Sequence, residues 1–119
     1  MKRLAAVAAS AAVLTAGMSF ASSTAEAAGW CSSVGSAGSF CITGNGDGYN
    51  VVYSKWSGNP AYVDFNLVCG SDRYGDDGAF WISAGQSRSY YFAVGDRGRC
   101  HGQLIDRNNG GVWNTPDVG

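Results

Sequence analysis

In several segments from residue 39 onward apolar residues recur at every second position, and no stretch shows helical periodicity. Period two is the strand period, because alternate side chains leave opposite faces of a sheet. Segment 61–69 is the clearest case. Ala61, Val63, Phe65, Leu67 and Cys69 alternate there with Tyr62, Asp64, Asn66 and Val68, which predicts one buried and one largely wet face. In 39–43, Phe40 and Ile42 share a side; in 49–56, Tyr49, Val51 and Tyr53 oppose Val52 and Trp56. Segments 79–83 and 87–94 flank Ala84-Gly85-Gln86, a hairpin or corner, and in the second of them Tyr90, Phe92 and Val94 oppose Ser89, Tyr91 and Ala93. Segment 99–106 places Cys100, Gly102 and Leu104 on the core side. Arg107-Asn108-Asn109-Gly110-Gly111 is then a hairpin signal leading into 112–115, and Pro116 ends regular pairing. Short strands at this spacing, with no helix, predict an all-β fold: a small antiparallel β-sandwich (Ig-like) of six to seven strands.

The first 27 residues follow another pattern. Lys2 and Arg3 precede an uncharged run, 4–20, rich in Ala, Val and Leu, and Ala25-Glu26-Ala27 supplies a small-residue cleavage motif. This is the layout of a secretory signal peptide, with cleavage expected after Ala27. The run has 17 residues and is broken by Ser10, Thr15 and Gly17, whereas a membrane span needs roughly 20 more strongly apolar ones. Removing 27 of 119 residues leaves 92, one domain over 28–119. Six cations then face eight Asp, a net charge of −2 with His101 neutral. That balance gives no footing for nucleic acid or an anionic membrane as partner. A secreted monomer is expected.

Four cysteines, Cys31, Cys41, Cys69 and Cys100, all lie in the mature part. An even count in a small exported domain reads as two disulfides. Their spacings of 10, 28 and 31 contain no closely spaced pair of the zinc-site kind. Cys69 shares a face with Val63, Phe65 and Leu67, and Cys100 shares one with Leu104. A bridge between facing sheets is therefore expected from 69 to 100, leaving Cys31 and Cys41 to close a Gly/Ser-rich loop.

Catalytic chemistry has little to work with. The mature chain holds one His, no Glu and no G-x-S-x-G. His101 reads as a solvated strand residue, and Asp76-Asp77 as part of a polar turn over 72–78, since adjacent carboxylates diverge. Gly44-Asn45-Gly46-Asp47-Gly48 offers one carboxylate and reads as a tight turn rather than a calcium loop. No catalytic residue, metal or cofactor is expected.

Two features point to binding. Tyr62 and Tyr91 fall on the wet sides of amphipathic strands, and Trp81 lies opposite Phe80 and Ile82. Exposed flat rings stack on sugars or anchor a protein partner. Segment 71–78 directly follows Cys69 and sets Arg73 beside Tyr74, a pair suited to entering a hydrolase cleft.

The mature chain resembles the small secreted two-disulfide β-proteins common in actinobacteria. It is similar to the tendamistat-like α-amylase inhibitors in Cys31/Cys41, Cys69/Cys100 and Ser83-Ala84-Gly85-Gln86 before a strand. That likeness implies a secreted sandwich with two sequential disulfides. The family's inhibitory Trp-Arg-Tyr triplet is absent, Asp72-Arg73-Tyr74 stands in a different place, and the cysteine spacings differ, so the activity is not carried over. Crystallin-like protease inhibitors begin with an element similar to Cys31…Phe40-Cys41, with another Gly/Ser spacing. The expectation is a secreted, non-enzymatic binding protein. One form is an inhibitor of an extracellular hydrolase acting through 71–78. The alternative is a carbohydrate- or cell-wall-binding module using Tyr62, Trp81 and Tyr91, and a structural envelope protein comes third.

Overall fold

The computed structural model describes residues 30–119; the expected signal peptide and its cleavage site lie outside them. Nine strands follow in order: β1 (Cys31–Val34), β2 (Gly38–Gly44), β3 (Tyr49–Lys55), β4 (Ala61–Cys69), β5 (Asp72–Gly75), β6 (Phe80–Ile82), β7 (Gln86–Phe92), β8 (His101–Asp106) and β9 (Val112–Asn114). They form two antiparallel sheets. The first runs β1-β2-β3-β7; the second runs β5-β4-β8-β9, with β6 also paired to β4. The all-β sandwich is as expected, with nine strands in place of six or seven. The two additions, β1 and β5, are four-residue edge strands.

The alternation read in the sequence sets the core. Phe40, Ile42, Val51 and Tyr53 from the first sheet meet Val63, Phe65, Leu67 and Leu104 from the second, all nearly inaccessible to water. Phe40 and Phe65 stack across the two layers with ring centroids 5.6 Å apart. Gly102 makes room for them. A Cβ there would stand 2.9 Å from Val51 Cγ1 and 3.0 Å from Phe40 Cζ, closer than packed side chains tolerate.

Both expected disulfides form, Cys31–Cys41 and Cys69–Cys100. Neither joins the two sheets. Cys31 and Cys41 are directly opposed on β1 and β2. The β4–β8 ladder ends with Val68 opposite His101, so the next pair along it is Cys69 and Cys100. The expectation of a bridge between sheets fails because alternation says which way a cysteine points, not which strand lies beside it. Two disulfides belong to an oxidising environment, and no helix among the described residues is long and apolar enough to cross a membrane.

Strand β4 is the centre of the second sheet. Strand β8 covers one of its edges, and β5 and β6 lie end to end along the other. Asn66 faces Gly75 and Val63 faces Phe80, so residues 76–79 oppose only Asp64 and Phe65. The two extra residues make a bulge that stands off the edge.

Candidate functional site

The outer face of the second sheet gathers most of the chemistry. Tyr62, Asp64, Asn66 and Val68 leave β4 on that side because Val63, Phe65 and Leu67 fill the core, but Asp64 and Asn66 are themselves buried by their neighbours, so this face is not the largely wet one that alternation implies. Trp81 on β6 is directly opposite Tyr62. Their rings lie 5.1 Å apart at 36°, and Trp81 is 59% exposed. The two rings form one tilted apolar platform at an edge of the sheet.

The turn after β8 fixes that platform. The Tyr62 amide donates to Asn108 Oδ1 at 3.0 Å, and the Tyr62 carbonyl accepts from the Arg107 amide at 2.7 Å. Arg107 is thereby delivered to Asp64, where its Nη2 lies 2.6 Å from Oδ2. Farther along the face, Asn66 Nδ2 donates to Gln103 Oε1 at 3.2 Å. Ile105 faces Asp64 on β8, and Val112 faces Ile105 on β9. Rings, a guanidinium–carboxylate pair and side-chain amides thus share one surface, which is how sites for hydroxyl-rich ligands are built: apolar area for stacking, with a few placed polar groups.

Asp64 has a second neighbour that the sequence did not reveal. The bulge brings Asp76 into hydrogen-bond contact with it. Burial pushes the Asp64 pKa up, but hydrogen bonds from Asp76 and Arg107 and the Arg107 charge outweigh that and hold it below the usual value. Asp76 moves the other way. Burial, then the hydrogen bond and charge of Asp64, raise it to about 6. Asp76 therefore gives up its proton later than Asp64 as pH rises.

The remaining candidate residues are dispersed. Arg73 and Tyr74 do not sit on a protruding loop. They belong to β5, where Arg73 pairs with Val68 on the outer face and Tyr74 with Leu67 on the inner. Tyr74 is half-buried against the core, with the Arg97 guanidinium 5.8 Å from its ring centre. Adjacent strand residues point opposite ways, so the two cannot enter one cleft together. Tyr91 is exposed, but it stands on β7 in the other sheet, opposite Asn50. It packs on Gly48 and donates its hydroxyl to Asn45 Oδ1 at 3.1 Å. That oxygen also accepts the amides of Asp47 and Gly48, so Tyr91 staples the β2–β3 turn and shares no surface with Trp81. His101 is less solvated than expected. It is half-buried on the outer face, its Nδ1 3.2 Å from Asp117 Oδ1, while Arg99 holds the other oxygen at 3.1 Å. Trp56, at the end of β3, is as exposed as Trp81 and donates Nε1 to the Ser36 carbonyl. Its place in a half-apolar run conceals it in the sequence.

A cleft of about 200 Å³ opens at the opposite end of the sandwich, between Trp30, Tyr49, Asp96 and Val118. Its chief polar group is already engaged. Tyr49 Oη donates to the Gly98 carbonyl at 2.7 Å and accepts from the Arg97 amide at 2.9 Å. Comparison with known proteins adds no further guide: no family model, no curated protein and no solved structure matches this chain.

Proposed function

We propose that this is a secreted, non-enzymatic carbohydrate-binding module that holds a polysaccharide on the outer face of its second sheet. The Tyr62–Trp81 platform carries the reading. A pyranose ring presents an apolar face to an aromatic ring while its hydroxyls seek charged and amide partners; exposed Arg107 and half-buried Gln103 stand on the same face to meet them, held in place by buried Asp64 and Asn66. Binding rather than hydrolysis fits the acid pair. Glycosidase carboxyls flank the sugar about 5 Å or more apart, whereas Asp64 is buried and its carboxylate is held by Arg107. The hydrolase-inhibitor reading relies on Arg73 and Tyr74 acting together, and β5 turns them to opposite sides.

The test is a depletion assay on insoluble chitin, cellulose and cell wall, followed by calorimetry with oligosaccharides of whichever polymer retains the protein. Trp81→Ala is expected to lower affinity by about 1–2 kcal/mol, roughly five- to thirtyfold, with the fold unchanged. Retention by none of these polymers, or full affinity in the Trp81→Ala variant, contradicts the proposal.

A further inference from the structure

The domain carries two Asn-Gly steps, Asn45-Gly46 in the β2–β3 turn and Asn109-Gly110 in the β8–β9 turn. The pairing matters because glycine, with no Cβ, lets its amide nitrogen approach the side-chain carbon of the asparagine before it. Both steps are exposed, and both glycines hold left-handed backbone in open space, at φ +89° and +79°. In those respects the two are alike. They differ in how the reacting atoms are held.

At Asn45 the side-chain oxygen accepts three hydrogen bonds: from the Asp47 amide at 2.9 Å, the Gly48 amide at 3.0 Å and Tyr91 Oη at 3.1 Å. The two amide bonds fold the side chain forward over its own peptide link to Gly46. The Gly46 amide has no acceptor among the described residues. At Asn109 the arrangement is reversed. Its oxygen accepts one bond, from the Gly111 amide at 2.7 Å, and the Gly110 amide is tied to the Asp106 carbonyl, also at 2.7 Å.

We propose that the β2–β3 turn modifies itself: Asn45 cyclises onto the Gly46 nitrogen and is converted to isoaspartate and aspartate, while Asn109 is protected. The reaction needs only water. The Gly46 nitrogen bonds to Asn45 Cγ, the Cγ–Nδ2 bond breaks, and Nδ2 leaves as ammonia with the Gly46 proton. The product is a five-membered succinimide. Water then opens the ring; addition at Cγ gives aspartate at position 45, and addition at the backbone carbonyl carbon gives isoaspartate. Negative charge gathers on Oδ1 as the nitrogen adds, and three donors already stand where it develops, which lowers the barrier as an oxyanion hole does. The Gly46 N–H is free to lose its proton, whereas the Gly110 N–H must first break its bond to Asp106.

The consequence falls on the first sheet. Isoaspartate adds one atom to the main chain of a tight turn and draws the acceptor away from Asp47, Gly48 and Tyr91. Either product sets a new charge beside Asp47. Gly44 and Gly46 line the cleft beside Trp30 and Tyr49, so its wall changes with the turn. The inference is independent of the carbohydrate reading, whose surface lies on the other sheet.

The test is peptide mapping by mass spectrometry of protein spanning residues 28–119, incubated at pH 7.5. Conversion raises the peptide mass by one unit, and an isoaspartyl methyltransferase labels the isoaspartate. In the folded protein position 45 is expected to convert at least about tenfold faster than position 109. In the reduced, urea-unfolded chain, where these hydrogen bonds are gone, the two rates should converge. Tyr91→Phe removes one donor from Oδ1 and should slow position 45 by about two- to tenfold, leaving position 109 unchanged. Should that variant fail to fold, the folded and unfolded ratios of the two positions decide alone. Equal rates in the folded protein, or faster conversion at position 109, overturn the proposal. So does acceleration at position 45 by Tyr91→Phe, which would mean that the three bonds hold the amide away from attack.

Discussion

Removing the two disulfides separately should have unequal consequences. Cys31 and Cys41 are opposed on β1 and β2, and Cys69 at the end of β4 meets Cys100 just before β8; the Cα atoms are 4.0 and 4.2 Å apart, so local geometry hardly distinguishes the two bridges. Loop length and burial do. Cys31–Cys41 closes a separation of 10 residues and Cys69–Cys100 one of 31, for which chain entropy gives about 3 and about 4 kcal/mol. Cys100 is fully buried and Cys69 is 7% exposed. Losing two core sulfurs adds about 1–2 kcal/mol. The Cys69→Ala/Cys100→Ala variant should thus lose about 5–6 kcal/mol, comparable with the whole net stability of a small domain, and be largely unfolded in water. Cys31→Ser/Cys41→Ser should lose about 3 kcal/mol, remain folded, and keep its ligand affinity, because that bridge lies on the other sheet. Urea unfolding followed by tryptophan fluorescence measures both. An equal loss in the two variants, or a folded 69–100 variant less than about 2 kcal/mol below wild type, would refute the reasoning.

Two substitutions test packing and a third tests the division between the faces. Gly102→Ala drives a Cβ against Val51 and Phe40, neither of which has space to yield, and should cost about 1–3 kcal/mol in unfolding free energy. Gly75→Ala, whose Cβ would have Asn66 Oδ1 at 3.8 Å as its nearest neighbour, should stay within about 0.5 kcal/mol of wild type. Tyr91→Phe removes one hydrogen bond to Asn45 and should lower stability by about 0.5–1.5 kcal/mol with sugar affinity unchanged. Lost affinity in a folded Tyr91→Phe protein would move the ligand to the first sheet.

Alternation alone makes the core and the outward direction of Tyr62 and Trp81 legible, but not how far an outward side chain is covered: Asp64 and Asn66 point away from the core and are still buried by neighbours on their own face. Strands β1 and β5 are not legible in the same way. Cys31–Val34 and Asp72–Gly75 are too short to show a period, and β5 is made of the residues that usually build turns. Read as a loop, that segment leaves Arg73 and Tyr74 on one side; as a strand it separates them. The Asp64–Asp76 pair is hidden for a different reason. It depends on a two-residue offset between Asn66↔Gly75 and Val63↔Phe80, and register between strands leaves no trace in the spacing of either. Tyr91 shows the same limit. It does point outward, as its alternation implies, but alternation does not say which sheet a strand joins.

Mapping the ligand on the protein is the most direct test of carbohydrate binding by the second sheet. Chemical-shift changes in ¹⁵N-labelled protein spanning residues 28–119, titrated at pH 5 with chitin and cellulose hexasaccharides, locate the contact surface residue by residue. Changes are expected to concentrate at Tyr62, Trp81, Gln103, Ile105 and Arg107, with Tyr91, Trp56 and the turn around Asn45 unmoved. Changes confined to the first sheet or to the cleft beside Trp30 and Tyr49, or none with any sugar, would contradict the proposal.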